Sequence, residues 1–211
     1  MFNQQCDIDF SFTSIAITNN FVSKKLSGEL HRGLHEGTEQ NIPVEKIFLH
    51  DEFDQQSLEN DIALMKLKQP ILFDAHVSPI CLPDFDFAVG TTCYVTGWGL
   101  SGPLGSTSDI LQETSAPLMD HTVCKNHYTG INPVTSHMRC AGTLGQSQGT
   151  CKGDSGGPLT CERDGRWYLM GVTSWANGGC MNNGDPGVFS DTLYFRNWVE
   201  EVMRNNTRTT I

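Results

Sequence analysis

An all-β fold is the class this sequence predicts, and three observations carry the prediction. Apolar residues rarely recur at helical spacing. The 21 glycines supply turns at the density that many short strands need. A chain of 211 residues can bury a substantial core, and all-β units of this size are routinely single. A formal charge of −10 argues against nucleic acid or an anionic membrane as the main partner. No apolar run reaches the ~20 residues that a membrane span needs.

The elements follow in order. Residues 10–22 are rich in Phe, Ile and Thr and read as β-prone. Gly28 and Glu29, then 36–40, form a loop of acidic residues and glycine. Residues 44–49 read as a strand and 51–60 as a polar loop. In 61–67, Ile62, Leu64 and the apolar residues after them make a buried strand preceded by a carboxylate. Residues 80–83 connect two halves. Residues 91–100 form a strand that turns at Gly97 and Gly99, 101–108 a Gly/Ser/Pro-rich loop, and 110–118 a further strand. A short helix is expected within 120–128 and a strand over 166–175. Over 191–204 a terminal helix places Phe195, Trp198, Val199 and Val202 on one face. Asn205-Asn206-Thr207 is a glycosylation sequon.

Eight cysteines, at 6, 81, 93, 124, 140, 151, 161 and 180, point to an oxidising compartment. Their spacing leaves connectivity open, and the lack of a CxxC pair argues against a metal site. Asn3, Gln4 and Gln5 stand where a secretory leader has its basic region and apolar core. The chain is therefore expected to be truncated, with secretion inferred on other grounds.

The chemistry concentrates in Gly149-Thr150-Cys151-Lys152-Gly153-Asp154-Ser155-Gly156-Gly157-Pro158. A serine hydroxyl is a weak nucleophile and needs a base. Glycines around it let the backbone turn sharply and let a substrate carbonyl approach main-chain N–H groups, which stabilise an oxyanion. The simpler alternative is a Gly-rich turn capped by Asp and Ser. A run of this length, with Cys151 four residues before the serine, is hard to explain as a turn alone.

This segment resembles the nucleophile region of the trypsin/chymotrypsin-like serine proteases. The resemblance runs from about Leu26 to Met203 through Asn60-Asp61-Ile62-Ala63-Leu64, Cys81-Leu82-Pro83, Gly97-Trp98-Gly99, Met138-Arg139-Cys140-Ala141-Gly142, Ser174-Trp175 and Pro186-Gly187-Val188-Phe189. It implies a chymotrypsin-like double six-stranded β-barrel with a C-terminal helix, the first barrel incomplete here. Residues 1–25 match poorly, 26–205 form the protease domain, and 206–211 are a tail. It implies disulfides Cys93–Cys161, Cys124–Cys140 and Cys151–Cys180, leaving Cys6 and Cys81. Ser155 is then the nucleophile, Asp61 the residue that orients the base, and the N–H groups of Gly153 and Ser155 the oxyanion donors. Asp61 has a competing reading as a strand-end cap.

The resemblance also places Gly149 at the base of the substrate pocket, with Ser174, Trp175, Ala176 and Gly187 as its walls. An uncharged base argues against Lys or Arg as the cleaved residue, so an apolar or mid-sized side chain is expected. The backbone of 174–176 is expected to pair with an extended substrate. Glu29, Glu36 and Glu39 match a calcium loop, with a solvated acidic loop as the alternative. No cofactor is required. The implied partners are protein or peptide substrates and protein inhibitors, and the implied location is extracellular.

Two parts of the machinery are not found. All seven histidines precede Ser155, which excludes the α/β-hydrolase order of Ser, Asp, His. A subtilisin-like order stays formally open through His76, His121, His127 or His137. The family order needs a histidine well before Asp61, but Ser14-Ile15-Ala16-Ile17 stand there, and His31, His35 and His50 lie too close and read as exposed loop residues. Asp154 is expected to pair with a new N-terminal ammonium in the family, and no matching cleavage sequence is found. A buried Asp154 without that cation is costly. The chain is expected to be a nearly inactive serine endopeptidase domain or, alternatively, a non-catalytic binding protein with a protease shell.

Overall fold

The computed structural model describes residues 12–16, 24–101, 105–146, 149–180 and 184–206, with backbone alone for 12–16, 24–27 and 179. Its strands form two antiparallel sheets. The first contains β1 (Phe12–Ala16), β2 (Lys24–Ser27), β3 (Gln40–Leu49) and β4 (Ala63–Leu67), in the order β1-β4-β3-β2. The second contains β5 (Thr92–Gly97), β6 (Gln112–Pro117), β7 (Met138–Ala141), β8 (Pro158–Arg163), β9 (Arg166–Trp175) and β10 (Gly187–Asp191), in the order β6-β5-β8-β9-β10-β7. A curled six-stranded sheet, a second sheet with four strands among the described residues and a helix near the C-terminus are consistent with the chymotrypsin-like arrangement. Of the β-prone stretch over 10–22, Phe12–Ala16 is strand; the remainder, with Cys6, lies outside the described residues.

Strand β3 serves two partners. Residues 40–43 pair with β2, and 44–49 pair with β4 after a bulge between Val44 and Lys46. The switch falls beside Pro43, which has no N–H to give to a ladder. Its carbonyl still accepts Lys68 N–H at 2.9 Å.

The six-stranded sheet curls around Cys93, Val95, Ala116, Leu118, Leu159, Cys161, Met170 and Phe189, all buried. Cys93 and Cys161 lie opposite each other on β5 and β8 and are bonded. Helix α1 (His121–His127) is capped by the Asp120 side chain, which accepts Val123 N–H. Cys124 bonds it to Cys140 on β7. The third disulfide, Cys151–Cys180, joins the 149–158 loop to the turn after β9. Cys81 is disulfide-bonded as well.

Helix α2 (Thr192–Asn206) starts one residue later than the pattern implies, because Asp191 is its cap. Asp191 Oδ1 accepts Leu193 N–H at 3.0 Å. Its Oδ2 pairs with Arg139 at 2.9 Å. Val199 and Met203 pack on Leu64 of β4, so the last helix of the chain buries the strand that begins just after Asp61. A fully buried side chain of this size contributes about 1.5–3 kcal/mol. Strands β7 and β10 have weak alternation in sequence and β8 opens on a proline, so all three emerge only from their pairing.

Candidate active site

Asp61 is 3% exposed and sits at the head of β4. Asn60 before it adopts φ +54°, a conformation that asparagine tolerates, and Ile62 N–H closes a tight turn onto Asn60 O at 2.8 Å. Two serines of the other sheet hold the residue. Ser190 Oγ donates to the Asp61 carbonyl at 2.6 Å, and Ser174 Oγ donates to its Oδ2 at 2.7 Å. Burial pushes the carboxyl up to about 6, and the Ser174 hydrogen bond opposes this only in part.

The 149–158 loop runs through turns, with no helix. Asp154 N–H donates to Cys151 O and Gly157 N–H to Asp154 O. Gly153 has φ +99°, which glycine adopts without penalty. Ser155 is exposed, and among the described residues its hydroxyl has no hydrogen-bond partner. The N–H groups of Gly153 and Ser155 also donate to no described protein group. Two free N–H groups beside a free hydroxyl can receive a carbonyl oxygen.

Asp154 is half-buried rather than sealed, and it is not left bare. Its Oδ1 accepts Gly99 N–H at 2.8 Å and its Oδ2 accepts Cys151 N–H at 2.9 Å. Backbone dipoles thus solvate the carboxylate, which lessens the cost expected for it without a cation. The contact requires Gly99: a Cβ there would lie 2.5 Å from Asp154 Cγ and both its oxygens.

A pocket of about 160 Å³ opens beside Ser155, lined by Thr150, Cys151, Lys152, Thr173, Ser174, Trp175 and Ala176. Three of the expected wall residues, Ser174, Trp175 and Ala176, line it directly. Gly149 precedes the lining residue Thr150, and Gly187 is buried in β10 opposite Ala141; neither is itself lining. Ala176 is extended, at φ −143° and ψ 154°, so the backbone direction of β9 continues along the pocket. Thr173 is a wall residue that sequence reasoning missed. Its hydroxyl is buried without a partner. Ser190 was missed as well, and no local pattern distinguishes it.

All seven histidines are among the described residues, and none hydrogen-bonds to Asp61 or Ser155. The expectation that those before Asp61 are exposed holds only for His35. His31 is partly covered by the docking of its loop on 108–111, where Leu111 N–H donates to Leu30 O. His50 is half-buried against Phe195 and Trp198, with ring centroids at 5.4 and 5.1 Å, and this desolvation lowers its pKa.

Ligand oxygens of Glu29, Glu36 and Glu39 lie within 4.8 Å of one another. Glu39 accepts Glu36 and Gly37 N–H, which holds its carboxyl below the ordinary range. Glu29 Oε1 is buried and receives no hydrogen bond from the described residues. An orphaned carboxylate oxygen next to two more carboxylates is a donor set that a hard cation fits.

The Trypsin family model matches residues 14–199, starting within β1. Trypsin-1 of Astacus astacus is 39% identical over 175 residues, covering 83% of this chain and 73% of the relative. Trypsin-3 of Salmo salar is 37% identical over 180 residues, 85% and 73%. Serine protease 1 of Canis lupus familiaris is 36% identical over 180 residues, 85% and 70%.

Proposed function

Because the chain belongs to the trypsin family of serine proteases, we propose that it is a serine endopeptidase domain with Ser155 as its nucleophile and little turnover of its own. The carrying observation is the juxtaposition of an unpartnered Ser155 hydroxyl with two unpartnered N–H groups at the mouth of a pocket. In this reading Ser155 Oγ attacks the scissile carbonyl, whose oxygen moves onto Gly153 and Ser155 N–H. The Oγ proton has to leave as the bond forms. Asp61 is placed to orient an imidazole that takes it, and no histidine of this chain meets Asp61. Water is then the acceptor, and losing the base alone costs about 10⁶-fold in turnover. The extended backbone at Ala176 supports pairing with an extended peptide, and the absence of a carboxylate among the pocket's lining residues, whose one charged member is Lys152, suits an apolar or mid-sized side chain over Lys or Arg.

A second reading, a binding protein that holds peptides without cutting them, draws on the same lack of an imidazole. The two readings separate with a fluorophosphonate probe and a peptide substrate. Slow labelling that Ser155→Ala abolishes supports a nucleophile without a base. No labelling at all, together with saturable peptide binding, supports the binding protein. Labelling as fast as that of an intact member would overturn the inactivity.

Glu29, Glu36 and Glu39 are proposed to hold calcium as a structural ion with no part in the chemistry. The disulfides and the family make the extracellular space the proposed location. Among the described residues no helix is long and apolar enough to cross a membrane.

A further inference from the structure

One polar cluster behind the pocket is used by nothing above, and it joins three elements. His127, the last residue of α1, places Nε2 at 2.6 Å from Asp185 Oδ1. The other oxygen of Asp185 accepts Asn177 Nδ2 at 3.0 Å. Asn177 directly follows Ala176, the last wall residue of the pocket, and Asp185 directly precedes Pro186 and Gly187. The neighbour of His127, Tyr128, is fully buried, donates its hydroxyl to Pro186 O and stacks edge-on against the wall residue Trp175 at 4.7 Å. The end of a single helix therefore grips the chain on both sides of the pocket wall.

The two grips differ in kind. Tyr128 holds the loop by a neutral hydrogen bond, and its burial beside Asp185 raises its pKa, so this grip does not change at moderate pH. His127 holds it through the Nε2–Asp185 contact, which is an ion pair when both ring nitrogens carry a proton. The side chains are 29% and 11% exposed, so the pair is only partly screened by solvent. Asp185 is the one charged group of the described residues within ion-pair distance of His127, Tyr128 is the titratable group beside it, and Lys125 on the same helix is exposed. With the imidazole charged, Asp185 is fixed from both oxygens. With it neutral, at most one hydrogen bond to the carboxylate remains, without the imidazolium's charge, and Asn177 is tied to a less constrained carboxylate.

We propose that His127 is a positioning residue for the pocket: acting through Asp185, it sets the 176–177 and 185–187 walls, so that affinity for a side chain seated beside Ser155 falls as the imidazole loses its proton. This rests on the reading of Ser155 as the nucleophile.

The test uses a tripeptide boronic acid with a phenylalanine-like first side chain. It needs no catalytic base: the B–O bond to Ser155 Oγ forms, the hydroxyl proton goes to solvent and no group leaves. Affinity is measured at about pH 6 and about pH 8, which brackets most of the charge change of histidine side chains. The boron's own pH dependence is common to all variants, so ratios to the wild type are read. His127→Ala is expected to bind roughly tenfold more weakly at the lower pH and to approach the wild type at the higher. His127→Gln keeps an N–H donor near Nε2 without the titration. It should match the wild type at the higher pH and lack its gain at the lower, and it serves if the alanine variant does not fold. Equal ratios at both pH values, with binding still dependent on Ser155, overturn the proposal alone. Binding that Ser155→Ala leaves unchanged, or no binding, overturns the nucleophile reading and this proposal with it.

Discussion

Ser174 Oγ donates to Asp61 Oδ2 at 2.7 Å, tying a wall of the pocket to a carboxylate 113 residues away. It is the one side-chain hydrogen bond that this carboxylate receives from the described residues. Ser174→Ala should destabilise the protein by about 1.5–3 kcal/mol near pH 8, the range for a hydrogen bond to a charged group. The loss should shrink near pH 5, where more of the carboxyl is protonated. Urea unfolding at the two pH values reads both numbers, and an equal loss at each would contradict the assignment.

Asp61 itself should penalise the fold as pH rises. Its carboxyl titrates at about 6 when folded against an ordinary 3.8, so between those values the native state binds more protons than the unfolded chain. The stabilisation is complete below about 3.8 and is lost as pH rises through about 6. The shift corresponds to something on the order of 3 kcal/mol. Asp61→Asn keeps an acceptor for Ser174 and carries no charge. Its stability relative to wild type should therefore climb between pH 4 and pH 7 and level off above. A flat difference would mean that Asp61 has an unseen cation.

The close approach of Asp154 to Gly99 sets the shape of the nucleophile loop. Gly99→Ala places a methyl group 2.5 Å from the carboxylate and should force it out of its two backbone hydrogen bonds. A loss of about 1–3 kcal/mol is expected from overpacking. Fluorophosphonate labelling of Ser155 should fall with it, because the Gly153 N–H turns with the loop. Unchanged melting and labelling would show that the loop absorbs the methyl group.

Calcium should stabilise the chain through the 29–39 loop. At 10 mM ion, an affinity in the range of extracellular sites gives about 2 kcal/mol, or a Tm rise of roughly 5 °C. Glu29→Gln removes charge from the buried, orphaned carboxylate and should abolish the rise while leaving the melting point in chelator the same or higher. A wild-type melting curve indifferent to calcium would leave the loop as a solvated acidic turn.

Much of this protein was legible without coordinates. The 149–158 segment carries its own geometry, because glycines that allow a turn, a serine and a disulfide cysteine are all local properties of the chain. The three disulfide pairs came from the resemblance, as did the two-sheet architecture, and both are present. Long, clearly alternating or helical segments such as β9 and α2 were found to within a residue or two. Strands β7 and β10 were not, since each is short and mostly buried on both faces, which removes the alternation that marks a strand, and β8 was not, since it is six residues long and opens on Pro158.

By itself the sequence determined the class of fold and the family, because residue identity and order along the chain are sufficient for these. The tertiary structure alone decided that Ser174 and Ser190 clamp Asp61, that backbone N–H groups solvate Asp154, that Thr173 has a buried hydroxyl without a partner, and that His127 reaches Asp185. Each of these is a contact between segments that only the curling of the six-stranded sheet and the packing of its helices bring together. Hydrogen bonds need atoms within about 3 Å, a condition that no one-dimensional pattern encodes.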